Sequence, residues 1–504
     1  PRTWPSHPAQ VEGRLARRCL MPPPRGCIRC RRDECVLAVR EASYCAPCYA
    51  RVFDEKMRAS LDHTRGAILR QSVVRSAETA SPAYAIVCDG SVASYVLVHA
   101  MYRLLYVPDA HPSPARAPER ARLDVLYIDD GGHADDVRAH IARLAPDAVF
   151  VACQLSDVYR RGQGVVCMRQ PPWTMGELTE AHETAAHDLL AAMRLRHGTP
   201  SAGATRTEDM HRLLSRRVLH DTACARQCAA LLFPQDASQT AAYVLDALAK
   251  GAGHKLPVEG AASLWVQDVL HLHPLRAFLP HECAYYARVH GLAAPAEAPA
   301  AADMSYESIS DKSSMGHLAQ SLITALQHGV SSTSSTVIGT ASKLVLQDTP
   351  KLWPTVPADT CPGIGAKGAA LVRSVQALPR WDWDECRACP LCRWPAQEGA
   401  AQWTSQRSIR HAAFAAHDLD AHLCYACLQV LDIPTGTRVL LPPDVHDLVR
   451  RPERPAASVR VVAPAAQDES MRDALAQPHA PRTSHAPTRV APDAMRDQVA
   501  SYLL

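Results

Sequence analysis

Four pairs of cysteines carry the most specific chemistry in this sequence. Cys27 and Cys30 form one CxxC, Cys45 and Cys48 a second, with 14 residues between the pairs. A CxxC turn points two sulfurs at one ion, and two such turns close a tetrahedral thiolate cage. Zn²⁺ suits four soft thiolates and brings no redox chemistry, so the pattern predicts a structural zinc on Cys27, Cys30, Cys45 and Cys48. A second set stands far along the chain: Cys386-x2-Cys389-Pro-Leu-Cys392, then Cys424-x2-Cys427 in "LCYAC". Three cysteines in its first half leave the ligands open. Cys389, Cys392, Cys424 and Cys427 are the expected set, with Cys386 or His422 as substitutes. Such a site is closed, with no open position for catalysis, and would clip a segment too small to fold alone. Cys19 and Cys35 are then spare, and the spacing does not separate zinc from a cluster.

A third stretch could hold an anion. "AYAIVCDGSVASYVLVHAMYRLL", from Ala83, has the outline of a strand, a tight loop and a helix. Phosphates bind at such helix N-termini because free backbone N–H groups and the helix dipole favour negative charge. Here Gly90 alone supplies backbone freedom and Asp89 would repel an anion. Val92 and Ala93 offer no side-chain donor, while Ser91 and Ser94 could still donate. Gly90, Ser91 and Ser94 are the candidate cofactor-binding residues of a loop that otherwise reads as fold support.

These residues need elements to position them. Short apolar runs at 83–87, 123–129, 147–155 and 228–234 alternate with helical patterns such as "ADDVRAHIARL" and "ASQTAAYVLDALAKG". Alternation of this kind gives parallel βαβ units. In the first helix Val92, Val96, Ala100 and Leu104 share one face and Ala93, Leu97, Met101 and Leu105 the next, so it packs on a sheet. Cys224 and Cys228 stand at i, i+4 on a helical pattern and would share a face as inert packing. Cys88, Cys153 and Cys167 read the same way. Asp236, after the fourth strand, reads as an N-cap. The segment 196–209 reads as a loop, 291–303 as a low-complexity insertion, and 451–491 as too Pro/Ala-rich to fold.

Composition narrows the class. The 504 residues suit two or three domains, and 47% hydrophobic content allows a sizeable core. No window reaches about 18 unbroken apolar residues, so a membrane span is not expected. The net charge of +3 implies no general polyanion partner. Arginines crowd the first cysteine module, however, and Arg25, Arg29, Arg31 and Arg32 are candidate phosphate contacts beside a solvated-terminus reading. Eighteen cysteines without a preceding secretory signal point to metal rather than disulfides. An organelle presequence is weakened by the prolines near the start. The chain opens on Pro1, so an initiator methionine, or more, is expected upstream.

A CxxC/CxxC module, an α/β domain opening on a decayed pyrophosphatase-type loop, and a closing CPLC…LCYAC module together resemble the cytoplasmic tRNA 2-thiolation protein 2 family. The resemblance spans about 27–432 and includes local wording: "AKGAGHKLP", "HPLRAFLPHECAYYARVHGL" and "VIGTASKLV". It implies a fold of the adenine nucleotide alpha-hydrolase-like type, a parallel α/β sheet flanked by two four-cysteine zinc modules. Active relatives of the wider superfamily carry a Ser-Gly-Gly-x-Asp-Ser loop that binds ATP and adenylates the uridine. Laid on that loop, only Gly90 and Ser94 match; Asp89, Ser91 and Ala93 depart. Those enzymes also use paired catalytic cysteines, one in a CxxC, and no CxxC lies between Cys48 and Cys389. No catalytic residue is therefore carried over.

The resemblance implies a cytoplasmic, non-catalytic subunit that forms a heterodimer with a catalytic tRNA thiolase subunit. ATP would enter only through that partner. The complex would move sulfur from a thiocarboxylated ubiquitin-like carrier to the wobble uridine of tRNAs for Lys, Glu and Gln. Two other readings compete: an ATP-dependent tRNA sulfurtransferase competent by itself, and a zinc adaptor for the carrier with no tRNA role. The expected organisation is an irregular 1–26, a zinc module and helix over 27–75, and the degenerate α/β domain over 80–290. A linker over 291–305, a helical extension over 306–380, a second zinc module over 381–450 and a largely disordered 451–504 complete it.

Overall fold

The computed structural model describes residues 26–31, 37–39, 42–75, 82–107, 121–159, 165–168, 174–177, 185–194, 200–292, 313–347, 378–401, 403, 418–432, 438–450 and 458–461. By its contacts the chain divides into Pro1–Arg460 and Val461–Leu504. The description that follows concerns the first unit.

In chain order, a hairpin of β1 (Leu37–Val39) and β2 (Ala42–Tyr44) leads into the long helix α1 (Ala46–Arg75). Then come β3 (Ala83–Cys88), α2 (Val92–Tyr106), β4 (Arg122–Ile128), α3 (Ala134–Leu144) and β5 (Val149–Cys153). Strands β6 (Val165–Met168) and β7 (Thr174–Glu177) precede α4 (Ala185–Arg194) and α5 (Pro200–Ala225). After β8 (Ala230–Leu232) and α6 (Ala237–Ala249) follow β9 (Ser263–Val266), β10 (Val269–Leu272) and α7 (Pro280–Val289). Helices α8 (Met315–Gly329) and α9 (Thr333–Ala341) lead to β11 (Leu344–Gln347), β12 (Arg380–Trp381) and β13 (Arg438–Leu441).

The central sheet has seven strands in the order β12-β9-β10-β8-β3-β4-β5. Within it β5, β4, β3, β8 and β10 run parallel, the order 3-2-1-4-5 of a doubly wound α/β sheet. The chain reverses direction across the sheet between β3 and β8, and crevices at such switch points are where these sheets hold ligands. The parallel α/β class expected from the alternating apolar runs is what the chain adopts. Every residue of β3 is buried, as befits a strand covered on both faces.

One core lies under α1, α2 and α7, with Tyr49, Phe53, Leu97, Phe278 and Tyr286 buried in it. The other lies under α5 and includes Leu214, Val218, Leu256, Trp381, Leu391 and the cysteines of the second module. The second module therefore shares a core with the α/β sheet rather than standing apart.

Three sequence expectations change. The loop read over 196–209 is helix from Pro200 onward, since proline is preorganised for the first helical turn. The sheet is wider than the four expected strands, because 263–272 folds as the antiparallel β9–β10 pair and β12 adds to its edge. Cys228 lies beyond the end of α5 at Ala225, so it does not share a helical face with Cys224. Residues 293–303 of the insertion read over 291–303 and nearly all of the Pro/Ala-rich stretch lie outside the described residues, as do Cys19, Cys35, Arg25 and Arg32.

Candidate metal centres and a self-bonded loop

In the first module the β1–β2 hairpin and the start of α1 bring two CxxC turns together. The ligand atoms of Cys27, Cys30, Cys45 and Cys48 all lie within 4.8 Å of one another. The N–H of Arg31 donates to the Cys27 carbonyl at 2.8 Å, and Arg31 takes φ +60° to close the turn. Although burial pushes the Cys27 thiol up, backbone hydrogen bonds at Cys30, Cys45 and Arg29 bring it down to about 6. One sulfur of the set is thus poised as a thiolate, the form that binds metal. Arg29 forks onto Glu55 of α1 at 2.7 and 3.1 Å, so that candidate phosphate contact already has a carboxylate partner. The module is fastened to the sheet through α1. The Tyr49 hydroxyl donates to the Glu282 carbonyl at 2.9 Å, and Phe53 stacks on Tyr286 with centroids 4.1 Å apart.

The second module repeats the same turn. Arg393 stands after Cys392 as Arg31 stands after Cys30, takes the same φ of +60°, and donates its N–H to the Cys389 carbonyl at 2.8 Å. The ligand atoms of Cys389, Cys392, Cys424 and Cys427 lie within 4.8 Å of one another, and all four side chains are buried. Cys386 and His422, the substitutes left open by the spacing, are not in this group. Cys386 is instead a buried thiol pushed up to about 11 by burial, Glu385 and Asp382. Four sulfurs so placed fit a tetrahedral divalent ion, and neither module offers an open coordination position.

Sequence reasoning missed the cation beside this cage. Lys255, buried at 8% exposure, puts Nζ 3.7 Å from Cys427 Sγ. Burial alone would lower its pKa, but the four cysteines hold it well above the ordinary value. A divalent ion on four thiolates leaves a net charge of −2, and a buried ammonium offsets part of it. Lys255 lies in "AKGAGHKLP", where nothing in the local pattern pairs it with Cys427, 172 residues away. In the same segment Gly251 takes φ +69°, and a Cβ there would lie 2.6 Å from the Tyr425 ring. That close approach seats the LCYAC turn against α6. The Arg393 side chain forks onto Asp221 of α5 at 2.7 and 3.2 Å, and Arg217 donates to the Leu391 carbonyl at 2.6 Å. Between α5, α6 and the module lies a cavity of about 930 Å³ lined by Arg212, Arg216, Lys250, Trp383 and Tyr425. Its cations are spent on neighbours: Arg212 on Asp246, Arg216 on Glu259 and Lys250 on Asp209.

The loop after β3 sits at the switch point, and its donors are turned inward. The N–H of Ser91 donates to Asp89 Oδ1 at 3.0 Å, and the N–H of Ser94 to Ser91 Oγ at 3.2 Å. The Ser94 hydroxyl donates to the Ser91 carbonyl at 2.8 Å. Ser91 thus serves as the N-cap of α2, and Asp89 does intramolecularly what a phosphate oxygen would do. Gly90, at φ +79°, makes the turn possible without approaching any neighbour. Across the switch point Asp236 caps α6 in a capping box with Gln239, as its position predicted. Burial, partly offset by the N–H groups of Gln239 and Ser238, pushes Asp236 up to about 6, and Asp89 adds to that rise. A second carboxyl group close enough to feel Asp89 further disfavours an anion at the loop.

The remaining cysteines mostly pack as expected. Cys88 and Cys228 are buried and pushed up to about 12, chiefly by burial, and Cys153 is buried at the end of β5. Cys224 differs, with Sγ 3.4 Å from His220 Nε2, while His220 Nδ1 lies 3.0 Å from His271 Nε2. The side chain of Cys167 lies outside the described residues.

Residues 314–419 match the family model of cytoplasmic tRNA 2-thiolation protein 2. Among solved structures, the chain is similar to the U34-tRNA thiolase NcsA from Methanococcus maripaludis with its [4Fe-4S] cluster. That match has 12% identity and a TM-score of 0.42, over 64% of this chain and 87% of that one. It is also similar to NAD+ synthetase from Burkholderia pseudomallei, at 13% identity and a TM-score of 0.30, over 59% of this chain and 87% of that one. No curated protein matches the chain. No helix among the described residues is long and apolar enough to cross a membrane.

Proposed function

We propose that this chain is the non-catalytic subunit of a two-subunit tRNA thiolase. In this reading it is needed for the 2-thiolation that forms 5-methoxycarbonylmethyl-2-thiouridine at the wobble position of the tRNAs for Lys, Glu and Gln. A catalytic partner subunit binds ATP, and a thiocarboxylated ubiquitin-like carrier supplies the sulfur. The chain acts in the cytoplasm as scaffold, stabiliser of its partner and contact for tRNA.

The observation that carries this reading is the loop at the switch point. Its amide donors at Ser91 and Ser94 are taken by its own side chains, and a carboxylate stands where a phosphate would need a donor. A protein that bound ATP there would have to break those bonds and bring an anion against Asp89. The family match over 314–419 supports the tRNA-thiolation context. The two cysteine cages fit structural zinc, each offering four sulfurs and the second fully buried. Arg31, exposed on the first module, is the remaining described arginine for a tRNA phosphate, a contact that would position rather than specify.

The test is single-turnover thiolation of wobble-uridine tRNA with this chain alone, with the partner alone and with both. A filter-binding titration of tRNA against salt, with and without Arg31→Ala, separates this reading from a zinc adaptor without an RNA role. Removing one phosphate-binding arginine should lower the slope of log affinity against log salt by about one.

A further inference from the structure

The guanidinium of Arg276 has no counter-charge among the described residues. Its Nη2 donates to Ser342 Oγ at 2.8 Å, while its Nε is buried with no hydrogen-bond partner. Among the described residues no carboxylate pairs with it, and burial alone brings its pKa down to about 10. Arg276 is half-buried, and a partly dehydrated guanidinium without a counter-charge is resolved in native proteins by solvent, a partner or a ligand.

Arg276 borders a groove of about 320 Å³ beyond the end of β10. One wall is apolar: Ala237, Ala262, Leu272, Pro274 and Leu279. The other is the small-residue face of α9 and the turn before it, with Ser331, Ser335 and Gly339. The Ser335 hydroxyl is spent on the Ser332 carbonyl. His273, the remaining basic group of the lining, is held neutral, since burial first and the charges of Arg216 and Arg276 next bring it down to about 3. A Cβ on Gly339 would meet nothing within 4 Å, so the space beside that helix is open.

One cation at a narrow, mostly apolar groove selects a singly charged planar acid on a slim chain. A phosphate dianion would ask for several more donors than these walls supply. We propose that this groove binds a carboxylate-terminated chain with small side chains, the carboxylate on Arg276 and the chain along the α9 face. This assignment is independent of the proposed role in thiolation, because it uses neither the loop nor the cysteine cages.

The experiment is calorimetric titration of the full chain with four probes: N-acetyl-Gly-Gly, its C-terminal amide, butyrate and inorganic phosphate. Binding of the peptide acid, and at least tenfold weaker binding of the amide, is expected. Arg276→Gln should weaken the acid at least tenfold, and Gly339→Leu, which fills the groove from a position with open space, should abolish binding while the thermal melt is retained. Butyrate binding as tightly as the peptide acid would support the carboxylate and place the affinity in the charge rather than the peptide backbone. Equal binding of acid and amide, phosphate binding as tight as the acid, or acid binding unchanged in both variants would overturn the proposal.

Discussion

At the residue scale, the cysteines and one aspartate make distinct predictions. Replacing Cys424 by Ser removes one sulfur of a buried set of four. Elemental analysis of the purified chain should then fall from two metal equivalents to one, with a lower melting temperature, because the cage is part of the core under α5. Two equivalents retained would place the metal elsewhere. Asp236 has its carboxyl pushed up to about 6 by burial, so it binds its proton more tightly folded than unfolded. Its contribution is fully present below about pH 4 and is lost as pH rises through about 6, by up to about 3 kcal/mol. Asp236→Asn keeps a good N-cap and should flatten that part of the stability–pH curve measured by denaturant titration. The clustering of these cysteines was legible because metal geometry imposes a spacing on the sequence. Lys255 was not, since its partners are brought together only by the fold.

At the element scale, two junctions hold the modules to the sheet. Phe53 of α1 is buried between Phe278 and Tyr286, with ring centroids at 4.5 and 4.1 Å. Phe53→Ala should destabilise the chain by about 3–5 kcal/mol in chemical denaturation, as large-to-small changes in cores do. Gly251 joins α6 to the LCYAC turn with φ +69°, and a methyl there would meet the Tyr425 ring at 2.6 Å. Gly251→Ala should therefore lower the melting temperature although Ala has less backbone freedom to lose on folding, and an unchanged melt would mean the ring has room to move. Strands β3, β4, β5 and β8 were readable as apolar runs. The β9–β10 pair was harder to see, because each strand is four residues long and Gln267-Asp268 interrupts the run. The start of α5 was hidden by Gly, Ser and Thr, residues that favour turns until tertiary packing overrides them.

At the scale of the whole molecule, the sheet, the loop and the cages fit together as a scaffold. The doubly wound order puts a switch point between β3 and β8, yet the segments after both strands carry carboxyl groups, Asp89 and Asp236. The loop's departure from an anion-binding pattern was visible in its residue types. How completely its donors are satisfied internally was not, because that depends on the rotamers of Asp89 and Ser91. Metal held by the two four-cysteine groups would stabilise without reacting. In the proposed role, such a molecule would hold a partner and an RNA in place while chemistry happens elsewhere. The most direct test is single-turnover thiolation of wobble-uridine tRNA by this chain, by its catalytic partner and by the two combined. The account predicts product only when both are present, at a rate unchanged by Ser94→Ala in this chain. Thiolation by this chain alone with ATP, abolished by Ser94→Ala, would contradict it.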